Sequence, residues 1–152
     1  MGAAPDLRIV SSNDGEVAGD IPALLSPGEY QLILDHWKTG KLFGRTPKLA
    51  LWFKVADQGE HFGAMVPRYY NVISLRGKPG RGGQFKAAAG GDLARDYARL
   101  LALPHRFDRF DLQQLRKRVI VGRVGTVLTG ARQEVLAPAS QYSVVRELVR
   151  IG

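Results

Sequence analysis

An alternation of large apolar side chains with lysine, alanine and tryptophan between Lys48 and Val55 limits what this chain can fold into more than any other feature. The two sets are Leu49, Leu51, Phe53 and Val55, and Lys48, Ala50, Trp52 and Lys54. Successive side chains of an extended strand point to opposite sides of a sheet, so a period of two predicts a β-strand with one face in a core. The other face then carries a tryptophan between two lysines.

The flanking sequence predicts further strands. They are expected at Glu29 to Trp37, Phe62 to Val72 and Lys117 to Thr129. Gly122 and Gly125 suggest a bulge in the last of these. Residues 142–151 fit either a fifth strand or a terminal helix, and the pattern leaves both open.

A single helix is expected between the third and fourth strands, from Leu93 to Leu103, with Asp92 as its N-cap. Its apolar stripe consists of Leu93, Tyr97, Leu100 and Leu101. Asp92 and Asp96 lie close to Arg95 and Arg99, and we interpret this set as a solvated helix surface.

Two basic segments rich in glycine are expected to be loops. Residues 39–47 contain two glycines and a proline, and residues 76–91 contain six glycines. The second segment lacks the spacing of a phosphate-binding P-loop. We therefore expect a mobile basic loop there, either a flap that closes over a bound strand or a plain disordered loop.

The element order predicts a mainly β fold: an OB-fold-like five-stranded Greek-key barrel with one helix between strands 3 and 4. Residues 21–152 form this single domain, because 152 residues fit one domain of about 100–200 residues. Residues 1–20 are small, polar and acidic, and we expect them to be a flexible arm.

Several function classes are disfavoured by composition. The absence of cysteine excludes disulfides, thiol catalysis and thiolate metal sites. His36, His61 and His105 have no metal-ligand spacing. We expect no catalytic residue, metal or cofactor. No stretch approaches the roughly 18 apolar residues of a membrane span, and no signal peptide is recognisable, so a cytoplasmic protein that does not bind membranes is expected.

Positive charge is concentrated in the middle of the chain. The formal net charge is +8, and residues 36–86 alone carry ten Lys or Arg against Asp57 and Glu60. Such an excess indicates an anionic partner and says nothing about fold.

The predicted binding face centres on Lys48, Trp52 and Lys54, because a base can stack on an outward indole while lysines neutralise the flanking phosphates. Two alternatives remain open, namely burial of Trp52 in an oligomer interface, with a homodimer as the expected assembly, and packing of Trp52 within the chain. Loop, strand and glycine-rich residues complete the predicted nucleic-acid-binding set: Trp37, Lys38, Lys41, Phe43, Arg45, Lys48, Trp52, Lys54, Arg68, Tyr70, Arg76, Lys78, Arg81 and Lys86.

Four stretches also carry a family resemblance: Pro27 to Tyr30, Pro47 to Val55, Gly59 to Gly63 and Gln141 to Leu148. Across residues 27–148 the chain resembles small proteins of phages, plasmids and integrated mobile elements that are similar to OB-fold single-stranded-DNA-binding proteins. The resemblance implies a role in replication, recombination or transfer of the element. Typical bacterial members end in an acidic tail that recruits partners, whereas this chain ends Leu148-Val149-Arg150-Ile151-Gly152.

The leading hypothesis is therefore sequence-tolerant binding of single-stranded DNA without catalysis. An RNA-binding OB module is not distinguished from it, because nothing in the sequence reveals a contact to a 2′-hydroxyl. A third hypothesis is a non-enzymatic interaction module whose basic, aromatic surface binds an acidic protein partner.

Overall fold

The computed structural model describes residues 22–129, 135–137 and 140–152, and within these ranges the chain is mainly β. The predicted arm at residues 1–20 lies outside the described residues. In chain order the elements are β1 Gly28–Leu42, β2 Thr46–Val55, β3 Met65–Asn71, β4 Ser74–Arg76, β5 Gly80–Arg81, β6 Gln84–Lys86, α1 Asp92–Leu100, α2 Gln113–Arg116, β7 Val119–Val127 and β8 Tyr142–Ile151.

One antiparallel sheet organises the chain, with the strand order β3–β2–β1–β7–β8. The 15-residue β1 is shared between neighbours: its first half pairs with β7, and its second half pairs with β5. A register shift between Leu34 and His36 lets this long strand bend between its two sets of partners. β4 and β6 form a separate two-stranded sheet.

The core is built from the residues that the alternation predicts. Leu49, Leu51 and Phe53 are fully buried, which confirms their assignment. Leu93, Tyr97 and Leu100 of α1 are also buried and belong to the same cluster, so the apolar stripe of the helix packs on the sheet. The ambiguous segment at the C-terminus is strand β8, paired with β7 along its length.

The prediction of a loop at residues 39–47 is wrong. β1 continues to Leu42 and β2 begins at Thr46, so only three residues make the turn. At Lys38 and Thr39 the extended strand pairs on both edges, with β2 on one side and β5 on the other, so backbone polar groups there are satisfied.

The predicted helix is shorter and starts differently. It ends at Leu100, and its N-cap is Gly91, which makes no side-chain capping bond. Asp92 lies in the first turn and forms an exposed ion pair with Arg95. The prediction that Asp92 is the N-cap is therefore wrong, because its carboxylate is paired with the Arg95 side chain and not with a backbone amide. No helix within the described ranges is long and apolar enough to cross a membrane.

Candidate nucleic-acid interface

Cations from three neighbouring strands share one face of the sheet beside the β1–β2 hairpin. Residues directly opposite each other in antiparallel strands project to the same side. The registers place Arg81 opposite Lys38, and Lys38 opposite Ala50, which gives one row across β5, β1 and β2. Lys48 is two residues from Ala50 and projects from the same face. Because Leu49 points into the core, this is the outer face of the hairpin.

The turn of the hairpin adds two more cations and an exposed aromatic ring. Lys41, Phe43 and Arg45 are all exposed, with 56% of the Phe43 surface accessible. The tight turn holds Phe43 at φ 53°, a left-handed backbone conformation that is uncommon for a bulky residue. We call Lys38, Lys41, Phe43, Arg45, Lys48 and Arg81 the basic hairpin surface.

Four of the five cations of this surface have no neighbouring acid among the described residues. Lys41, Arg45, Lys48 and Arg81 have no carboxylate oxygen within 4.0 Å among the residues that the structure describes. The sequence explains this, since residues 36–56 and 61–91 contain no Asp or Glu. Cations without an acidic neighbour that are grouped on one hairpin and the adjacent strand create a positive potential that attracts an external anion.

The glycine-rich segment lies against β1, and the prediction of a mobile loop is wrong for its central part. The amide of Gly82 donates to the carbonyl of Trp37 at 2.9 Å. The Trp37 indole Nε1–H donates to the carbonyl of Gly83 at 3.0 Å. The amide of Gly80 donates to the hydroxyl of Thr39 at 3.2 Å, and Thr39 is fully buried. These bonds hold Arg81 next to Lys38.

Trp52 projects from the predicted face, but its prediction as an exposed stacking residue is wrong. Its exposure is 0%, and it packs in a small second cluster with Ala50, Met65 and Tyr69. Its ring is stacked with that of His36, with the centroids 6.3 Å apart and the planes 8° from parallel. Alternation indicates which side a residue faces and not what covers it. Burial within a single chain matches the alternative of intrachain packing.

The indole Nε1 of Trp52 has no hydrogen-bond partner among the described residues, and this atom is buried. A buried indole N–H without an acceptor costs free energy rather than contributing it. The contribution of Trp52 to stability therefore comes from its apolar surface.

Two further members of the predicted set belong to a buried ionic cluster. Tyr70 is buried and donates its phenol to Asp96 Oδ2 at 2.7 Å, while Arg68 Nε donates to the same oxygen at 3.1 Å. Burial raises the pKa of the Tyr70 phenol well above its ordinary value, and the Asp96 carboxylate raises it further. The prediction that Arg68 and Tyr70 bind nucleic acid is therefore wrong, because both side chains are hydrogen-bonded to Asp96.

Asp96 is only 2% exposed, so its prediction as a solvated helix residue is also wrong. Its second oxygen accepts a bond of 2.7 Å from Arg99, which also donates to the carbonyl of Leu148 at 3.2 Å and lies 3.3 Å from Glu147. We call Arg68, Tyr70, Asp96, Arg99 and Glu147 the seam network, because it links β3, α1 and β8.

Three other predicted residues are engaged elsewhere. Trp37 is half-buried against the core and bonded to Gly83. Lys54 lies 3.6 Å from Asp35 on β1, and the hydrogen bond from His36 lowers the pKa of that Asp35 carboxyl. Arg76 is paired with Asp108 at 2.5 Å. Lys78 and Lys86 are exposed on the glycine-rich segment, outside the basic hairpin surface.

Sequence reasoning missed Thr39 and Gly83, which position Arg81. A Cβ on Gly83 would overlap the Thr39 hydroxyl, so these two residues fit together only with glycine at 83. No sequence signal identifies this pairing, because the contact joins residues 44 positions apart.

Within the described ranges, no group of three His, Asp or Glu side chains comes together as metal ligands. Comparisons with protein-family models, with curated proteins and with solved structures gave no match.

Proposed function

We propose that this protein binds single-stranded nucleic acid through the basic hairpin surface and catalyses no reaction. The observation that carries the proposal is a set of four cations on and beside the β1–β2 hairpin, Lys41, Arg45, Lys48 and Arg81, that have no carboxylate partner in the described parts of the chain, together with the exposed ring of Phe43 in the hairpin turn. Lysine and arginine that meet phosphates release condensed counterions, and this release drives binding without regard to sequence.

Phe43 takes the stacking role for which Trp52 is unsuitable. It is exposed and lies between Lys41 and Arg45 in the chain. Stacking of a base on an aromatic side chain contributes about 1–3 kcal/mol and tolerates any base. Because the faces of bases are covered by their neighbours in a duplex, a single protruding ring combined with cations favours an unpaired strand.

The strand order supports a finer assignment of the fold as OB-like. β1 pairs with both β2 and β7, and α1 lies between β3 and β7 in the chain. Residues near the start of the described chain connect the two outer strands: the amide of Ala23 donates to Met65, and the amide of Ser143 donates to Ala23, each at 3.0 Å. In OB-folds the face of strands 2 and 3 and the loop between strands 1 and 2 bind oligonucleotides. The hairpin turn with Phe43 and Arg45, and Lys48 on β2, belong to the matching elements of this chain, which supports the proposal.

The proposal is tested with a fluorescently labelled oligo-dT and a triple variant, Lys41→Ala, Arg45→Ala and Lys48→Ala. Loss of three phosphate contacts weakens single-strand binding about 100-fold at 0.1 M salt. The matched control removes Arg116, Lys117 and Arg118, three exposed cations outside the basic hairpin surface that directly precede β7, whose first residue Val119 pairs with Ile33 in the middle of β1. Equal weakening in both variants would show that only net charge matters, and would overturn the assignment of the site.

The same titration separates the remaining classes of ligand. Oligo-dT should bind more tightly than a duplex of equal length, and competition between matched DNA and RNA strands identifies the preferred sugar. Absence of any oligonucleotide binding at low salt would reject the proposed function and favour an acidic protein partner for this surface.

A further inference from the structure

The segment Gly80 to Gly83 has a feature that the proposed function does not require: it is fastened to β1 by its own set of contacts. The chain there carries no acidic residue, and three of its four residues are glycine. Gly80 and Gly82 have φ values of 124° and 72°, which side chains other than glycine rarely adopt. An unfastened segment of this composition would lose much conformational entropy on binding a ligand.

The fastening depends on two side chains of β1 that face inward. The Thr39 hydroxyl accepts from the amide of Gly80 and lies 3.4 Å from its carbonyl. The Trp37 indole donates to Gly83, and the Trp37 carbonyl accepts from Gly82. The amide of Gly83 closes a turn onto Gly80 at 3.0 Å. The segment is therefore bonded to β1 from Gly80 to Gly83.

Arg81 is the one residue of this segment that carries a long side chain. Its register opposite Lys38 places it on the outer face, beside the cations of the hairpin. It is exposed, and it has no acidic partner in the part of the chain that the structure describes. The bonds made by Thr39 and Trp37 thus fix the position of a cation that pairs with no acid in residues 22–129, 135–137 and 140–152.

We infer that Gly80–Gly83 is a preformed phosphate-binding element of the nucleic-acid site, with Arg81 as the contacting residue and Thr39 and Trp37 as positioning residues. The inference rests on the proposed function and assigns how Arg81, the one member of the basic hairpin surface that lies outside the β1–β2 hairpin, is held in place. Because the element is in place before the ligand arrives, binding does not have to order it.

The test begins with Arg81→Ala, which removes one phosphate contact. Binding of oligo-dT should weaken about 5-fold at 0.1 M salt, and the slope of log affinity against log salt should become shallower by about 0.7. Gly83→Ala should weaken binding by a similar factor, since the added methyl group displaces the segment from Thr39. Gly90→Ala is the matched control, because a Cβ at Gly90 meets no atom within 4 Å.

The decisive comparison is the double variant. If Gly83 acts by positioning Arg81, then Arg81→Ala in the Gly83→Ala background should change affinity by less than 2-fold, so the two effects are not additive. Thermal unfolding of each variant checks that it is folded. Faster exchange of the Trp37 indole proton in Gly83→Ala, measured by NMR, checks independently that the segment has been released.

The outcomes separate the two proposals. Normal binding by Arg81→Ala and Gly83→Ala, together with loss of binding in the hairpin triple variant, would overturn the inference and leave the proposed function standing. Full additivity of the two substitutions would overturn the positioning role of the segment. A wild-type protein that binds no oligonucleotide would overturn both.

Discussion

Two groups of basic side chains in this protein have opposite environments. In the seam network, Arg68 and Arg99 both bond to the buried Asp96, and Arg99 also lies beside Glu147. On the basic hairpin surface, Lys41, Arg45, Lys48 and Arg81 are not paired with any acid in the described parts of the chain. Both groups include residues of the neighbouring strands β1 to β3, so the residue type and the strand do not show which cations are paired.

The seam network contains the cations that hold the fold together, whereas those of the basic hairpin surface remain available to a ligand. An arginine that is paired with a buried carboxylate, as Arg68 and Arg99 are with Asp96, cannot leave it without uncovering an uncompensated charge in the interior. An exposed cation without a partner gives up only water and counterions when it meets a phosphate. Substitutions in the seam network should therefore change stability, whereas substitutions on the basic hairpin surface should change binding.

The largest effect is expected for Asp96→Ala. Removal of this carboxylate leaves Arg68 and Tyr70 without their buried partner, so the free energy of unfolding should fall by about 3–5 kcal/mol. Denaturant-induced unfolding measures this decrease in the free energy of unfolding. Asp92→Ala is the control on the same helix, and because the pair of Asp92 with Arg95 is exposed it should cost less than about 1 kcal/mol. Similar losses for both would contradict the distinction between buried and exposed pairs.

Trp52 sharpens the comparison because it lies on the outer face and yet is buried. Trp52→Ala should lower the free energy of unfolding by about 3–5 kcal/mol, as expected for a large ring removed from a packed site. Trp52→Phe should cost clearly less, since the indole Nε1–H has no partner to lose among the described residues. The folded Trp52→Phe protein should bind oligo-dT like the wild type. Weaker binding by Trp52→Phe would show that Trp52 contributes to the nucleic-acid interface.

Phe43 tests the aromatic part of the basic hairpin surface. Phe43→Ala should weaken binding of oligo-dT by about 1–3 kcal/mol, with little change in stability, because the ring is exposed. Phe62→Ala is a close control, as this ring is 59% exposed in the turn after β2 and lies outside the proposed site. Fluorescence anisotropy measures both. Equal affinities of the two variants for oligo-dT would show that Phe43 does not stack on a base.

The smallest effect on stability is expected for Asp35. This carboxylate lies beside Lys54, so Lys54 is a paired cation and not a member of the basic hairpin surface. Its lowered pKa means that this carboxylate stabilises the folded protein at pH values above the ordinary carboxyl pKa, and that this contribution is lost as the pH falls through the folded value. The difference in unfolding free energy between wild type and Asp35→Asn should therefore shrink as the pH falls below about 4. A difference that grows in acid would contradict the assignment.

Much of the fold could be predicted from local pattern. The alternation at Leu49, Leu51 and Phe53 identifies a strand and its core face, because burial imposes a period of two. The stripe of Leu93, Tyr97 and Leu100 identifies the packed face of α1 in the same way. These predictions were confirmed, since each depends on neighbours that are close in the sequence.

The candidate site could be predicted only in part. The charge excess of residues 36–86 indicates a basic surface, and Lys41, Phe43 and Arg45 are indeed exposed. The sequence could not show that Trp52 is covered or that Asp96 captures Arg68, because both depend on contacts between distant segments. It also did not reveal the docking of Gly80 to Gly83 on β1, since a run of glycines has no side chains to show a packing preference.

The proposed site requires that Lys41, Arg45, Lys48 and Arg81 contact phosphates. The most direct measurement is the affinity for oligo-dT as a function of salt, for the wild type, the triple variant at Lys41, Arg45 and Lys48, and the control triple variant at Arg116, Lys117 and Arg118. The slope of log affinity against log salt should be shallower by about 2 in the hairpin variant only. Identical slopes for the wild type and the hairpin variant would contradict it.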